Sequence, residues 1–355
     1  MALINSYAIW NNKGGVGKST ITFHLATRYA ERYPNRRVLV IDLCPQANAS
    51  MTLLGGGPQS EERVLELCQQ ATPRTVVGYL ATVLTQGPGA PMPPTADFLF
   101  RVRDRNENLP ENLWLMCGDG NLEPMAPLIS QRASLGALIP GVDQWVWVHE
   151  TIRRFIDNVT ANGNEDWLVL VDTNPSFSIY TEIAISSVNR LIVPVNADDA
   201  SRVATTAMFT LIYGAIPPHP IYGQYTFANR AATANLTRPN VHMIVGNRLT
   251  QYLGAAAAFG AISDATANSL FTAFQNHPAR FTAAVNAIGN VAEFRNEYSI
   301  PLRDFNTAGV VAAHLGLPLS QLGNGYYNVH GTDVQVNAAR VGECLAAIDQ
   351  MVARL

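Results

Sequence analysis

The chain has 355 residues, of which 48% are hydrophobic and 14% are charged. This composition supplies enough apolar side chains for a sizeable core and excludes an intrinsically disordered chain. The net charge of −3 excludes a strong overall attraction to nucleic acid, so any such binding would have to come from local groups of arginines.

Four cysteines, Cys44, Cys68, Cys117 and Cys344, are scattered without C-x-x-C spacing. We interpret them as free thiols, neither a disulfide framework nor a metal site. The first residues lack the basic region of a secretory signal, and no apolar run approaches the roughly 18 residues that span a membrane. These features predict a cytoplasmic location, with nucleoid association as a further option.

A glycine-rich turn between a short apolar run and an amphipathic pattern dominates the first part of the chain. This order predicts a strand, a phosphate-binding loop and a helix, in which backbone N–H groups cradle phosphate oxygens. Lys18 is expected to reach the terminal phosphates of ATP or ADP, and the Ser19 hydroxyl to bind Mg²⁺. The predicted nucleotide-binding residues are Gly14, Gly15, Val16, Gly17, Lys18, Ser19 and Thr20.

The basic residues are distributed unevenly, because 22 of the 24 are arginines and the two lysines, Lys13 and Lys18, lie in this loop. A compact ammonium suits a phosphate better than a planar guanidinium in so tight a turn. The run K-G-G-V-G-K-S-T resembles the deviant Walker A motif of the ParA/MinD ATPases. The resemblance implies that Lys13 crosses to the nucleotide of a second copy, and hence a nucleotide-sandwich homodimer in the ATP state.

A second apolar run, residues 38–41, ends in Asp42 and predicts a buried strand that delivers a carboxylate to the ligand crevice. Asp42 would orient an attacking water or a magnesium-bound water. The stretch from Asp42 to Ser50 resembles the D-x-D-P-Q-G-N segment of the same family. Cys44 stands where that family usually has a second acid, and Ala47 where it usually has glycine.

The apolar run at residues 167–171 ends in Asp172 and predicts another buried strand. This is the Walker B arrangement, in which the carboxylate holds Mg²⁺ through water. The family usually shows D-x-P-P-S here, so Asn174 is a departure, while Pro175 and Ser176 keep the turn.

Further elements follow in chain order. Helical patterns are expected at residues 61–70, 75–84, 127–138, 144–159, 199–212 and 334–355, and strands at 113–116, 190–196 and 241–248. By resemblance, Asn247 would contact the adenine base, with the segment from Ser299 to Asp304 beside it; a turn asparagine at a strand end is an equally good interpretation of Asn247. The alternation predicts a mostly parallel, doubly wound α/β sheet flanked by helices in one P-loop ATPase domain, residues 1–355.

Residues 55–112 are rich in glycine and proline at both ends and are interpreted as a peripheral insertion within that domain. Inside it, residues 98–105 alternate with strand period, which would place Arg101, Arg103 and Arg105 on one face. A solvated edge face is the favoured interpretation of these arginines, and a phosphate-binding ladder the other.

The leading functional prediction is a ParA-like ATPase with weak, partner-stimulated activity that forms an ATP-dependent dimer and positions a plasmid, a chromosome region or a protein assembly. Nonspecific DNA binding could use Arg280, Arg295, Arg303 and Arg340, and the last helix lacks the basic face of a membrane anchor. One alternative is a metabolic ATP-dependent ligase or small-molecule kinase on the same fold, which would need a second pocket built from residues 55–112. Another is an iron–sulfur reductase with paired cysteines at a dimer axis.

Overall fold

The computed structural model describes residues 3–136, 139–161, 165–196, 198–215, 219–247 and 256–355, without the side chains of residues 247 and 256–263. The strands are β1 (Leu3–Ile9), β2 (Arg37–Leu43), β3 (Phe100–Arg101), β4 (Leu113–Met116), β5 (Trp167–Thr173), β6 (Arg190–Asn196), β7 (Asn240–Asn247), β8 (Ser299–Pro301), β9 (Gly325–Val329) and β10 (Thr332–Val336). The helices are α1 (Lys18–Arg32), α2 (Asn48–Leu53), α3 (Gly57–Cys68), α4 (Val76–Gln86), α5 (Leu122–Ser134), α6 (Gln144–His149), α7 (Thr151–Ala161), α8 (Ile179–Ser186), α9 (Asp199–Tyr213), α10 (Phe227–Thr233), α11 (Ala256–Asn276), α12 (Val291–Tyr298), α13 (Asn306–Leu315) and α14 (Ala338–Val352).

One sheet organises the chain, with the strand order β3-β4-β2-β5-β1-β6-β7-β8. Its neighbouring strands are parallel except that β3 runs antiparallel to β4 at one edge. The predicted doubly wound, mostly parallel α/β sheet is therefore confirmed. Strands β2 to β5 lie on one side of β1 and β6 to β8 on the other, so the strand order reverses at β1. Ligands of such folds bind at the carboxyl ends of the strands around this point.

Helices cover both faces of the sheet, and alternate side chains of β1 enter two different cores. Ala8 lies in one core, while Tyr7 and Ile9 lie in the other, and all three are completely buried. A strand covered on both faces reads as an unbroken apolar run, which is why the sequence pattern located β2 and β5 so well.

The predicted arginine ladder at residues 98–105 is wrong. The strand stops at Arg101, and a 3₁₀ turn over Val102–Asp104 follows. Val102 is completely buried, as the strand period would also place it, but the backbone from Val102 onward no longer pairs as a strand. Arg105 instead pairs with Glu66 of α3, with 2.8 Å between Nη1 and Oε2.

Several predicted helix limits also needed correction. Helix α5 begins at Leu122 and contains Pro127, which the sequence pattern had suggested as a helix start. The pattern at residues 144–159 is two helices, α6 and α7, that are separate on either side of Glu150.

The closing helix begins at Ala338, not at residue 334, because residues 332–336 form β10. Asn337 caps the helix, its Oδ1 accepting the backbone N–H of Ala339 at 2.9 Å. The antiparallel pair β9 and β10 was not predicted.

Residues 55–112 supply side chains to both cores while forming one edge of the sheet. Tyr79 of α4 is completely buried and its hydroxyl donates to the carbonyl of Thr151 at 2.9 Å. Asn106 donates through Nδ2 to the carbonyls of Leu53 and Gly316, at 3.2 and 2.9 Å. That this segment is an insertion remains a prediction.

The turn after α2 packs backbone against backbone on the end of α13. A Cβ added to Gly56, whose φ is +65°, would lie 2.1 Å from the carbonyl oxygen of Ala313. Neither the turn nor the helix end can give way without breaking backbone contacts, so glycine is required at this position.

Gly56→Ala should therefore destabilise the fold by about 2–4 kcal/mol, through overpacking together with a strained positive φ. Urea unfolding followed by circular dichroism measures the change. Gly323→Ala is the matched control, since a Cβ there meets nothing within 4 Å. Equal stability of the two variants would contradict the contact described here.

Candidate functional site

The loop between β1 and α1 has the backbone of a phosphate cradle. Gly15 and Gly17 have φ of +70° and +83°, in the left-handed region that glycine adopts at little cost. Asn11, which sequence reasoning missed, is completely buried and anchors the loop. Its Nδ2 donates to the carbonyl of Pro194 at 2.7 Å, and its Oδ1 accepts the N–H of Lys13 at 3.1 Å.

The side chain of Lys18, at the start of α1, packs against the backbone of this loop. Its Nζ donates to the carbonyl oxygens of Lys13 and Asn11, at 3.0 and 3.4 Å. Burial lowers the pKa of this ammonium, against the attraction of Asp172. A partly desolvated cation held by two weak acceptors is well suited to exchange them for phosphate oxygens.

Ser19 and Asp172 meet at the carboxyl end of β5, as the sequence predicted for a magnesium site. The Ser19 hydroxyl donates to one carboxylate oxygen of Asp172 at 2.6 Å. Thr22, one helical turn after Lys18 and not singled out from the sequence, donates to the other at 3.0 Å. Burial raises the pKa of the Asp172 carboxyl, and the charge of Asp42 raises it further. Hydroxyl and carboxylate oxygens are ligands that Mg²⁺ prefers, and a cation would relieve this buried charge, so the residues fit the metal.

Asp42 lies next to Asp172 in the register of β2 and β5, but its oxygens face protein groups. Oδ1 accepts the N–H of Cys44 at 3.1 Å, and Oδ2 accepts the N–H and the hydroxyl of Ser50 at 2.9 and 2.7 Å. The residue is completely buried, and burial raises the pKa of its carboxyl.

Lys13 points away from its own phosphate loop. Its Nζ forms an ion pair with Asp198, just before α9, and lies 3.4 Å from the hydroxyl of Ser201. Asp198 also caps α9, since its Oδ1 accepts the N–H of Ser201 at 2.7 Å. The two lysines of one loop therefore contact different parts of the protein.

A cavity of about 790 Å³ opens beside the phosphate loop. Residues of the loop border it, together with Cys44, Asn48, Glu61 of α3 and His330 of the β9–β10 turn. The cavity thus continues from the phosphate loop to the segment that begins at residue 56.

The departure at Asn174 belongs to a hydrogen-bonded chain that ties the Walker B turn to two helices. The indole N–H of Trp10 donates to the carbonyl of Asn174 at 3.0 Å. Asn174 donates through Nδ2 to the Tyr180 hydroxyl at 2.9 Å, and that hydroxyl donates to Glu123 at 2.5 Å. The Trp10 bond goes to the backbone, but the bond to Tyr180 needs the side-chain amide, which a proline lacks.

A smaller cavity, about 460 Å³, lies at the ends of β6, β7 and β8. Asn196, Gly246, Ile300 and Pro301 border it. Asn247 ends β7 beside Gly246, but its side chain lies outside the described part of the structure.

The surface arginines proposed for DNA do not form an open basic patch. Arg295 pairs with Asp264 and Arg303 with Glu343, each at 2.6 Å, and Arg280 stacks over the ring of Tyr213. Arg340 lies exposed in the first turn of α14. Cys117 is completely buried, which leaves it unable to bridge a dimer axis as the iron–sulfur alternative requires. Within the described ranges, no helix is both long and apolar enough to cross a membrane.

Asp172→Asn should raise the thermal midpoint of the nucleotide-free protein by roughly 2–6 °C at pH 8, because it removes a buried charge. The gain should shrink at pH 5, since a raised pKa keeps the Asp172 carboxyl protonated there and the charge is already absent. The same variant should lose Mg²⁺-dependent ATP binding by more than tenfold. Scanning calorimetry and titration calorimetry measure the two effects. The exposed Asp157→Asn is the control, and a destabilised Asp172→Asn would count against the buried-charge interpretation.

Comparisons with known proteins agree with this geometry. The family model described as the CobQ/CobB/MinD/ParA nucleotide binding domain matches residues 7–353. An uncharacterized protein of Pseudomonas putida is 50% identical over 56 residues, which are 16% of this chain and 19% of that relative. Among solved structures, apo McdA of Cyanothece has a TM-score of 0.56 at 13% identity and covers 98% of both chains. A plasmid partition protein of Borrelia burgdorferi bound to AMPPNP has a TM-score of 0.53 at 15% identity and covers 99% of both. These similarities show the fold, and the match along nearly the whole length shows that the chain belongs to the CobQ/CobB/MinD/ParA nucleotide-binding family.

Proposed function

We propose that this protein is a ParA-like ATPase that forms an ATP-dependent sandwich dimer and positions a cargo. The observation that carries the proposal is that the ammonium groups of Lys18 and Lys13 lie in different places and have different partners. Lys18 lies under its own phosphate loop, whereas the Lys13 ammonium lies outside it, 22% exposed and paired with Asp198. From this position the Lys13 ammonium does not contact a nucleotide in its own loop. Once its ion pair with Asp198 breaks, it can contact the nucleotide bound by a second copy.

In this function the backbone of Gly14 to Thr20 and the Lys18 ammonium hold the phosphates. Ser19 and, through water, Asp172 hold Mg²⁺, which neutralises charge on the β- and γ-phosphates when bound. The adenine base would occupy the cavity beside Asn196 and Pro301, next to Asn247. The partners in this proposal are a second copy of the chain and a stimulating protein, with nonspecific DNA as an optional surface, and weak basal turnover is part of it.

One observation favours the second candidate, a metabolic ligase or small-molecule kinase. The phosphate-loop cavity extends to Gly57, Ser60 and Glu61, which is the segment from which a second substrate pocket was expected. Turnover that rises with a small molecule, while ATP leaves the protein monomeric, would support this candidate against the dimer.

Formation of the ATP-dependent dimer should require Lys13, and the ion pair that Asp198 makes with Lys13 should oppose it. Light scattering with ADP, ATP and a slowly hydrolysed ATP analogue should show dimers of the wild type with ATP only, and none for Lys13→Ala. Asp198→Asn keeps an oxygen to cap α9 but removes the ion pair, so we expect more dimer at the same ATP concentration. A monomer in all nucleotide states, with ATP bound, would reject the switch.

DNA binding is tested on the ATP-bound dimer by fluorescence anisotropy with a random double-stranded oligonucleotide at several salt concentrations. If backbone phosphates are bound, affinity falls steeply with salt, and Arg340→Ala weakens it. A dimer without salt-dependent binding would point to a cargo recognised by protein contacts alone.

A further inference from the structure

The Asp42 carboxylate is completely buried, and protein groups occupy three of its roughly four acceptor positions. Its two carboxylate oxygens accept three hydrogen bonds, from the backbone of Cys44 and from the backbone and hydroxyl of Ser50. The Ser50 hydroxyl in turn accepts the N–H of Gly118 at 2.8 Å. Gly118 closes the remaining side, because a Cβ there would lie 2.9 Å from Cγ of Asp42. The carboxylate therefore holds the turn after β2 in place.

Cys44 occupies the position in the crevice that Asp42 does not reach. It borders the cavity beside the phosphate loop, whereas Asp42 is fully buried behind it. Its sulfur lies within 4.8 Å of a carboxylate oxygen of both Asp42 and Asp172. The residue that follows β2 and borders this cavity thus carries a thiol.

Among the described residues that border this cavity, Glu61 is the one carboxylate. It lies on α3 and is exposed. A side chain that orients an attacking water must be within hydrogen-bond reach of it, beyond the terminal phosphate. Gln46 and Asn48 border the cavity with amide oxygens, but the described wall around Lys18, Ser19 and Cys44 provides no carboxylate.

We propose that Asp42 is a positioning residue, and that Cys44 deprives the site of a water-orienting carboxylate, so that the protein holds ATP for long periods with little hydrolysis. This inference rests on the proposed ATPase function and refines it. In hydrolysis, the water oxygen bonds to the γ-phosphorus while the bond to the β–γ bridging oxygen breaks and its electron pair stays with ADP. The water proton passes to a phosphate oxygen in this protein, and would pass to a carboxylate where one is supplied.

The test is to supply that carboxylate. Cys44→Asp should raise kcat for ATP at least tenfold, since a general base contributes about 10²–10⁴-fold. Cys44→Asn, of the same shape without the charge, should not reproduce the gain. Phosphate release at saturating Mg²⁺-ATP gives kcat, and titration calorimetry with an ATP analogue gives affinity separately. Circular dichroism establishes that each variant is folded.

Two more variants keep the proposal falsifiable if Cys44→Asp does not fold. Asp42→Asn and Ser50→Ala should share one phenotype, lower thermal stability and weaker ATP affinity, with kcat at saturation falling less than about tenfold. The proposal would be overturned if kcat fell 100-fold or more in Asp42→Asn while the affinity for ATP was unchanged. A tenfold fall of kcat in Glu61→Gln would also overturn it. So would a folded Cys44→Asp that binds ATP and turns over no faster. Failure of the wild type to bind ATP would instead remove the proposed function itself.

Discussion

The structure depends on the placement of two aspartates side by side where neither is exposed to solvent. Strands β2 and β5 are parallel and in register at Asp42 and Asp172, and both residues are completely buried. Two buried carboxylates repel each other and lose their hydration, so each must be compensated separately. The loop after β2 compensates Asp42 with three hydrogen bonds, while Asp172 has two hydroxyls and the nearby Lys18 ammonium.

This difference assigns separate tasks to two residues that look alike in the sequence. Asp172 is held by Ser19 and Thr22, whose hydroxyls can rotate to other partners when a cation arrives. Asp42 is held by backbone N–H groups as well, which cannot turn away without moving α2. The environment of Asp172 suits a residue that changes partners during a nucleotide cycle. The environment of Asp42 suits a residue that holds the backbone in place.

The sequence predicted what depends on local pattern. Unbroken apolar runs ending in Asp42 and Asp172, and glycines before Lys18, located the strands and the loop because buried parallel strands and positive-φ turns leave local signatures. The hairpin of β9 and β10 was missed, since its half-exposed residues carry no strong apolar alternation. The arginine ladder failed because the strand ends at Arg101 and a 3₁₀ turn begins at Val102, and a two-residue period does not show where strand pairing stops.

Side-chain partners were beyond local pattern altogether. The anchoring of Asn11 on Pro194 and the pairing of Lys13 with Asp198 join residues more than 180 positions apart. Such contacts are also needed to interpret the departures from the family pattern at Asn174 and Cys44. Asn174 links the Walker B turn to Tyr180, and Cys44 replaces an acid at the cavity wall. Under the proposed function these departures have a chemical consequence: a site that binds phosphate and magnesium but has no carboxylate positioned to orient water would retain its nucleotide.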